Sequence, residues 1–313
     1  MRSAVAGPTK LSTNFYLVTA LKRFSLLKII KSGPAAVGLR TAVAAGALLP
    51  LMALTVLQDP VVQDTVSAYR ASDAAGRPNQ IRTVVLDPGH GGKDPGCLGR
   101  RSRESRIVLK IALELGRKIK AEMPNVKVIY TRTTDRFIEL AERSNIANRN
   151  RADLFISIHC NASPSSSRVY GTETYTMGLH KTEGNLDVAK RENAVILQEA
   201  NYQQTYKGFN PNSPLAHIML ANYQHAFMGS SINFAEKVER SFRRHADRTS
   251  RGVKQAGFLV LWRTTMPSVL IEAGYLTNPT EEAYLNSEQG QQQVAMAVYK
   301  AFEQYKDEIE SAN

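Results

Sequence analysis

Two histidines and a glutamate stand at the ends of apolar runs, where a sheet would bring them together for chemistry. Val84-Val85-Leu86-Asp87-Pro88-Gly89 leads into His90 and then into Gly91-Gly92. Phe155-Ile156-Ser157-Ile158 leads into His159, followed by Cys160-Asn161-Ala162. Ser268-Val269-Leu270-Ile271 leads into Glu272 and then Ala273-Gly274. Each run reads as a buried strand. In open α/β sheets, ligands bind beyond the carboxyl ends of the strands. A lone loop histidine is usually solvated or structural, but strand-end residues that share one sheet edge are candidates for one site. The glycines after His90 let a ligand approach the backbone closely.

The chemistry this combination suits is metal-assisted hydrolysis. Catalytic zinc sites commonly take three side-chain ligands of the His/His/Glu kind and keep a fourth position open. A further acid near the first loop is Glu104, which lies 14 residues after His90 and is flanked by Arg100, Arg101, Arg103 and Arg106. A carboxylate there is also stabilised by the dipole of the helix that follows, and the two roles are compatible. The glycine-rich loop is not a phosphate cradle of the P-loop kind, because the required lysine and Ser/Thr spacing is missing.

The elements that must position these residues alternate. Strands are expected at Arg82–Asp87, Val126–Thr131, Asp153–Ile158, Val169–Met177, Gly257–Trp262 and Ser268–Glu272. Ser105 is the expected cap of a helix whose apolar face is Ile107, Val108, Ile111, Ala112, Leu115 and Ile119, a 3.6-residue repeat. Helices are also expected at Glu139–Arg149 and from about Gln291 to Ile309. This order predicts an α/β fold: a single twisted, mostly parallel sheet with helices on both faces. Residues 178–251 give no strand signal and read as a helical insertion, with helices at Asn185–Tyr202 and Pro214–His245. Insertions of this kind serve as surface elaborations, lids or docking sites.

The 313 residues are 43% hydrophobic, which suits a globular core rather than a disordered chain. The net charge of +12 is uneven: residues 1–80 hold nine Lys/Arg against three Asp. The body is mildly basic and has no basic stripe with interleaved aromatics, so no nucleic-acid partner is expected. Residues 1–40 carry seven basic residues and no acid, and residues 41–57 carry no charge. That order is typical of an export signal or membrane anchor. Residues 1–79 are therefore expected to be a targeting or anchor segment with a linker, and residues 80–313 the catalytic domain. Cys97 and Cys160 each lie close in sequence to one of the two histidines. They are read as small buried fillers, or as neighbours in space that could pair.

Four blocks, in order over roughly residues 82–305, resemble the zinc-dependent N-acetylmuramoyl-L-alanine amidases of bacterial cell-wall turnover. They are Leu86 to Gly96, Thr131 to Phe137 with Leu140 to Asn148, Ser157 to Ala162 and Pro267 to Pro279. The departures are Cys97 and Cys160, which stand where small residues are usual. The resemblance implies one Zn2+ per chain on His90, Glu104 and His159, with Glu272 assisting from outside the ligand set. It implies hydrolysis of the amide between N-acetylmuramic acid and L-alanine in peptidoglycan, in the periplasm or cell envelope. Another zinc peptidase acting on stem peptides, or a silent wall-binding protein, remain the alternatives. Some members are held inactive by a helix over the site until a protein partner removes it. Here Glu192 or Glu199 is expected to reach the open metal position, with Ile218, Met219, Phe227 and Met228 offering a face for an activator.

Overall fold

The computed structural model describes residues 80–221 and 226–311. The expected targeting segment lies outside the described residues. Six strands form one sheet in the order β2-β1-β3-β6-β4-β5. They are β1 (Thr83–Pro88), β2 (Lys127–Tyr130), β3 (Leu154–Asn161), β4 (Thr172–Met177), β5 (Ser250–Ala256) and β6 (Ser268–Tyr275). All neighbours run parallel except β4 and β6. The expected α/β architecture is thus present, with helices covering both faces.

Strand alternation divides the core into two layers. Val84, Leu86, Ile156, Ile158, Val269 and Ile271 face one layer, and Val85, Phe155 and Leu270 face the other. The first layer is closed by α1 (Glu104–Glu122), α6 (Met228–His245) and α9 (Glu288–Ser311). The predicted stripe on α1, Ile107 through Ile119, is buried throughout. Each such aliphatic side chain contributes about 1.5–3 kcal/mol by leaving water. The second layer is closed by α2 (Leu140–Arg149) and by α3 (Glu183–Asn193) with the turns that follow it. Asp87, His159 and Glu272 alternate onto this second face.

Several boundaries differ from expectation. The run at Gly257–Trp262 is not a strand: Leu259–Trp262 is a short helix, here α7, and the strand is β5, immediately upstream. Four consecutive buried apolar residues fit either state. Ser105 does not cap α1, which starts at Glu104 with Arg103 as N-cap and no side-chain cap bond. The helix expected over Asn185–Tyr202 ends at Asn193, passes into a 3-10 turn at Ala194–Gln198 and gives a short α4 at Tyr202–Thr205. The single helix expected over Pro214–His245 is two, α5 (Pro214–Ala221) and α6. Within the stretch expected to be an insertion, α6 buries Phe234, Val238 and Phe242 in the main core. One further helix, α8 (Pro279–Asn286), leads into α9. Among the described residues, no helix is long and apolar enough to cross a membrane.

Candidate functional site

The loop after β1 is held by buried charge. Asp87 is fully buried and accepts hydrogen bonds from Thr131 Oγ1 (2.6 Å), Ser157 Oγ (2.7 Å) and Arg143 Nη1 (2.8 Å). Burial works against its ionisation, yet Arg143 and the two hydroxyls outweigh that and hold its carboxyl below the usual range. Arg143 also donates to the carbonyls of Pro88 and His90. Arg132, equally buried, donates to those of Pro88, Gly89 and Ser105. Two guanidinium groups therefore hold the chain that carries His90, which adopts a left-handed φ of 58°. A non-glycine residue in that region stores strain that its surroundings must oppose. Gly89 permits a close approach: a Cβ there would lie 2.3 Å from the His159 ring.

Four side chains converge on the other side of this loop. His90 Nε2 and His159 Nδ1 are 3.1 Å apart. Glu104 Oε1 lies 3.1 Å from both nitrogens. Glu192 Oε2 lies 3.2 Å from His90 Nε2 and 3.1 Å from His159 Nδ1. All four residues are buried, and together they form a cluster able to hold a metal ion. Glu104 is aimed by two backbone N–H groups, Cys97 N to Oε2 (2.7 Å) and Cys160 N to Oε1 (2.8 Å). The remaining nitrogen of His90, Nδ1, lies 2.7 Å from Asp94 Oδ2. A carboxylate on the far nitrogen fixes the tautomer and raises the basicity of a ligating histidine. Burial opposes charge on His90, but Glu104, Asp94 and Glu192 prevail and lift its pKa well above the ordinary value.

Glu272 stands beside the cluster. It is paired with His159 across β3 and β6, next to a register shift in β3, a device that re-aims side chains near active sites. Both its oxygens are buried with no hydrogen-bond donor, and Arg191 Nη2 is 3.8 Å away. Burial, and after it the charge of Glu192, push its carboxyl well above the usual range. Its antiparallel neighbour on β4 is Glu173, whose fate is opposite. Burial disfavours its charge too, but Lys254, Tyr275 and Arg251 donate to it and keep its pKa low. Two facing carboxylates with pKa values driven apart are a mark of acid–base sites.

The structure brings the strand-end residues His90, His159 and Glu272 into one place, and Glu104 joins them from the start of α1. Of the two insertion acids, only Glu192 reaches the cluster; Glu199 instead accepts from the Leu140 N–H and Tyr206 hydroxyl. Cys97 and Cys160 are free and buried, and burial pushes both thiols up; neither belongs to the ligand cluster. Asp94, Arg132, Arg143 and Glu173 were not singled out from the sequence. Three of them lie inside or beside the motif blocks, but nothing in their spacing tells that an arginine or aspartate is buried.

A family model described as N-acetylmuramoyl-L-alanine amidase matches residues 84–304. The chain belongs to this family. Its relatives include AmiC of Escherichia coli, 33% identical over 238 residues, which are 74% of this chain and 54% of AmiC. The chain thus spans about half the length of that relative. AmiA of Escherichia coli is 30% identical over 222 residues, covering 69% of this chain and 73% of AmiA. Among solved structures, an N-acetylmuramoyl-L-alanine amidase from Clostridium difficile 630 superposes with a TM-score of 0.54 at 27% identity. That match covers 73% of this chain and 98% of the other. The family match begins in β1 and ends in α9, so it takes in all six strands and every residue of the cluster.

Proposed function

We propose that this chain hydrolyses the amide between N-acetylmuramic acid and L-alanine of peptidoglycan in the cell envelope, with one zinc ion held by His90, Glu104 and His159. The observation that carries the reading is the convergence of three such ligand atoms at 3.1 Å spacings. Tetrahedral zinc with ligands at about 2.0–2.1 Å sets neighbouring ligand atoms roughly 3.3–3.4 Å apart, so these spacings suit it. Glu192 Oε2, 3.2 and 3.1 Å from the same two ring nitrogens, fits the same reading as a further carboxylate oxygen turned to the ligand position.

Zinc would supply Lewis acidity there, polarising the scissile carbonyl and making water easier to deprotonate. The protein's own groups do the rest. Glu272 takes a proton from the attacking water and passes it to the nitrogen of the departing L-alanine. Burial, and after it the charge of Glu192, raise the proton affinity of this carboxylate, which favours its accepting a proton from water. Asp94 holds His90 with Nε2 turned into the cluster.

In the form described, the site is shut. The void beside His90, His159 and Glu192 is only about 10 Å³, barely room for one water. Glu192, at the end of α3, fills the position a water or substrate oxygen would need. Hydrolysis then requires α3 to withdraw. Leu215, Ile218 and Met219 of α5 are exposed, whereas Phe227 and Met228 are half-buried. This narrows the expected face for a protein activator to α5.

Digestion of isolated wall sacculi tests the reaction. Release of an intact stem peptide with a free L-alanine amine is the expected product. Cleavage inside the stem peptide would instead identify a peptidase, and no release by a metal-loaded Glu192→Ala protein would identify a silent wall binder.

A further inference from the structure

The loop between His90 and Glu104 carries a second feature on its outer side. Arg100, Arg101, Arg103, Arg106 and Lys110 line a cavity of about 420 Å³ together with Leu98. All five cations are exposed. Among the described residues, the ion pair made by this group is Arg106 Nε to Asp135 Oδ2 at 3.9 Å, between exposed side chains. Such a surface pair contributes little.

The backbone beneath them is fixed. Leu98 and Arg103 form an isolated antiparallel bridge, and the Gly99 N–H donates to the Ser102 carbonyl at 3.1 Å. Glu282 Oε1 accepts from the Arg101 N–H (2.7 Å) and from Ser102 Oγ (2.8 Å). That buried carboxylate is occupied with holding the loop. The other nearby acid, Glu104, is turned inward to the two histidines. The chain therefore spends two carboxylates on shaping this segment and leaves its guanidinium groups facing solvent around a concavity. Mutual repulsion of so many like charges destabilises the free protein, and an anionic ligand would relieve it.

We propose that this cavity binds a phosphate-bearing anion, with Arg100, Arg101 and Arg103 as the main donors. A guanidinium presents a planar fork that matches phosphate oxygens in pairs. Several such forks around one space suit a multiply charged phosphate better than a single carboxylate. The volume is that of a small-ligand pocket. Leu98, 60% exposed beside the cations, gives the rim an apolar contact for whatever carries the phosphate. The same chemistry is offered by a soluble phosphate or by an anionic lipid headgroup. The proposal is independent of the hydrolytic reading, since none of these residues belongs to the cluster around His90.

The test uses the full chain and two triple variants. One is Arg100→Gln with Arg101→Gln and Arg103→Gln. The other, a charge-matched control, is Lys120→Gln with Lys127→Gln and Arg244→Gln. Each is titrated with inorganic pyrophosphate by calorimetry, and sedimented with vesicles of phosphatidylglycerol or of phosphatidylcholine alone. Circular dichroism checks that both variants fold. Arg103 makes no side-chain cap bond to α1, so its replacement leaves the helix start intact. At about fivefold per cation, the loop variant should lose roughly 100-fold in affinity while the control stays near wild type. Loss in the pyrophosphate arm identifies a soluble phosphate as the ligand. Loss confined to phosphatidylglycerol vesicles identifies a lipid headgroup. Equal behaviour of the two folded variants in both arms, or no binding by the wild type in either arm, overturns the proposal.

Discussion

At the scale of single residues, the site rests on buried charges whose partners differ. Glu272 and Glu173 are cross-strand neighbours, yet Glu173 has Arg251 and Lys254 at 2.7 and 2.6 Å, whereas Arg191 stands 3.8 Å from Glu272. That contrast leaves Glu272 as the group free to move a proton. Glu272→Gln should retain metal while turnover falls by roughly 10²–10⁴-fold, the usual share of an acid–base group. Steady-state kinetics beside metal analysis checks this, and near-normal turnover in a metal-replete variant would remove Glu272 from the role. Asp87 is a structural counterpart. Asp87→Asn strands Arg143 without its buried partner and should cost about 3–5 kcal/mol in denaturant unfolding. His90, Glu104, His159 and Glu272 were legible because strand ends and a helix start are marked by local pattern. The support given by Arg132 and Arg143 was not. Their carbonyl partners on the Pro88–His90 loop lie 43 to 55 residues upstream in sequence, and a buried arginine looks like any other until the fold closes over it.

At the scale of elements, the strongly apolar strands and the stripe on α1 could be read directly, and the β5 edge of the sheet could not. β5 pairs on one side only, with β4. Its residues Ser-Arg-Gly-Val-Lys-Gln-Ala are mostly half-buried, so an edge strand here needs no apolar run and leaves no signal. The adjacent run Leu259–Trp262 carries the signal but is buried as a turn of helix. For α1, Ile111→Ala should cost about 2–5 kcal/mol, the range for truncating a fully buried aliphatic residue, measured by the same unfolding assay. For α3, the consequence is functional. Glu192 is the acid that reaches the cluster from this helix, so Glu192→Ala should raise unstimulated hydrolysis by about tenfold or more. A closed form lowers apparent activity in proportion to its population. Unchanged activity in a folded Glu192→Ala protein would make α3 a wall of the site rather than its gate.

At the scale of the whole molecule, one sheet supplies both histidines and Glu272. β1, β3 and β6 bring His90, His159 and Glu272 to one edge, α1 adds Glu104, and α3 covers the result. The basic residues of 1–40 and the uncharged stretch 41–57 are expected to send this body to the envelope, where peptidoglycan lies. Cell fractionation should find the protein there, and a mainly cytoplasmic pool would contradict that expectation. All of these roles depend on the convergence of His90, Glu104 and His159 being a metal centre. Metal content of the purified full chain tests this most directly, read beside His90→Ala and His159→Ala. The account predicts one zinc per wild-type chain and a loss of zinc in both variants. Full zinc occupancy in both variants would contradict it.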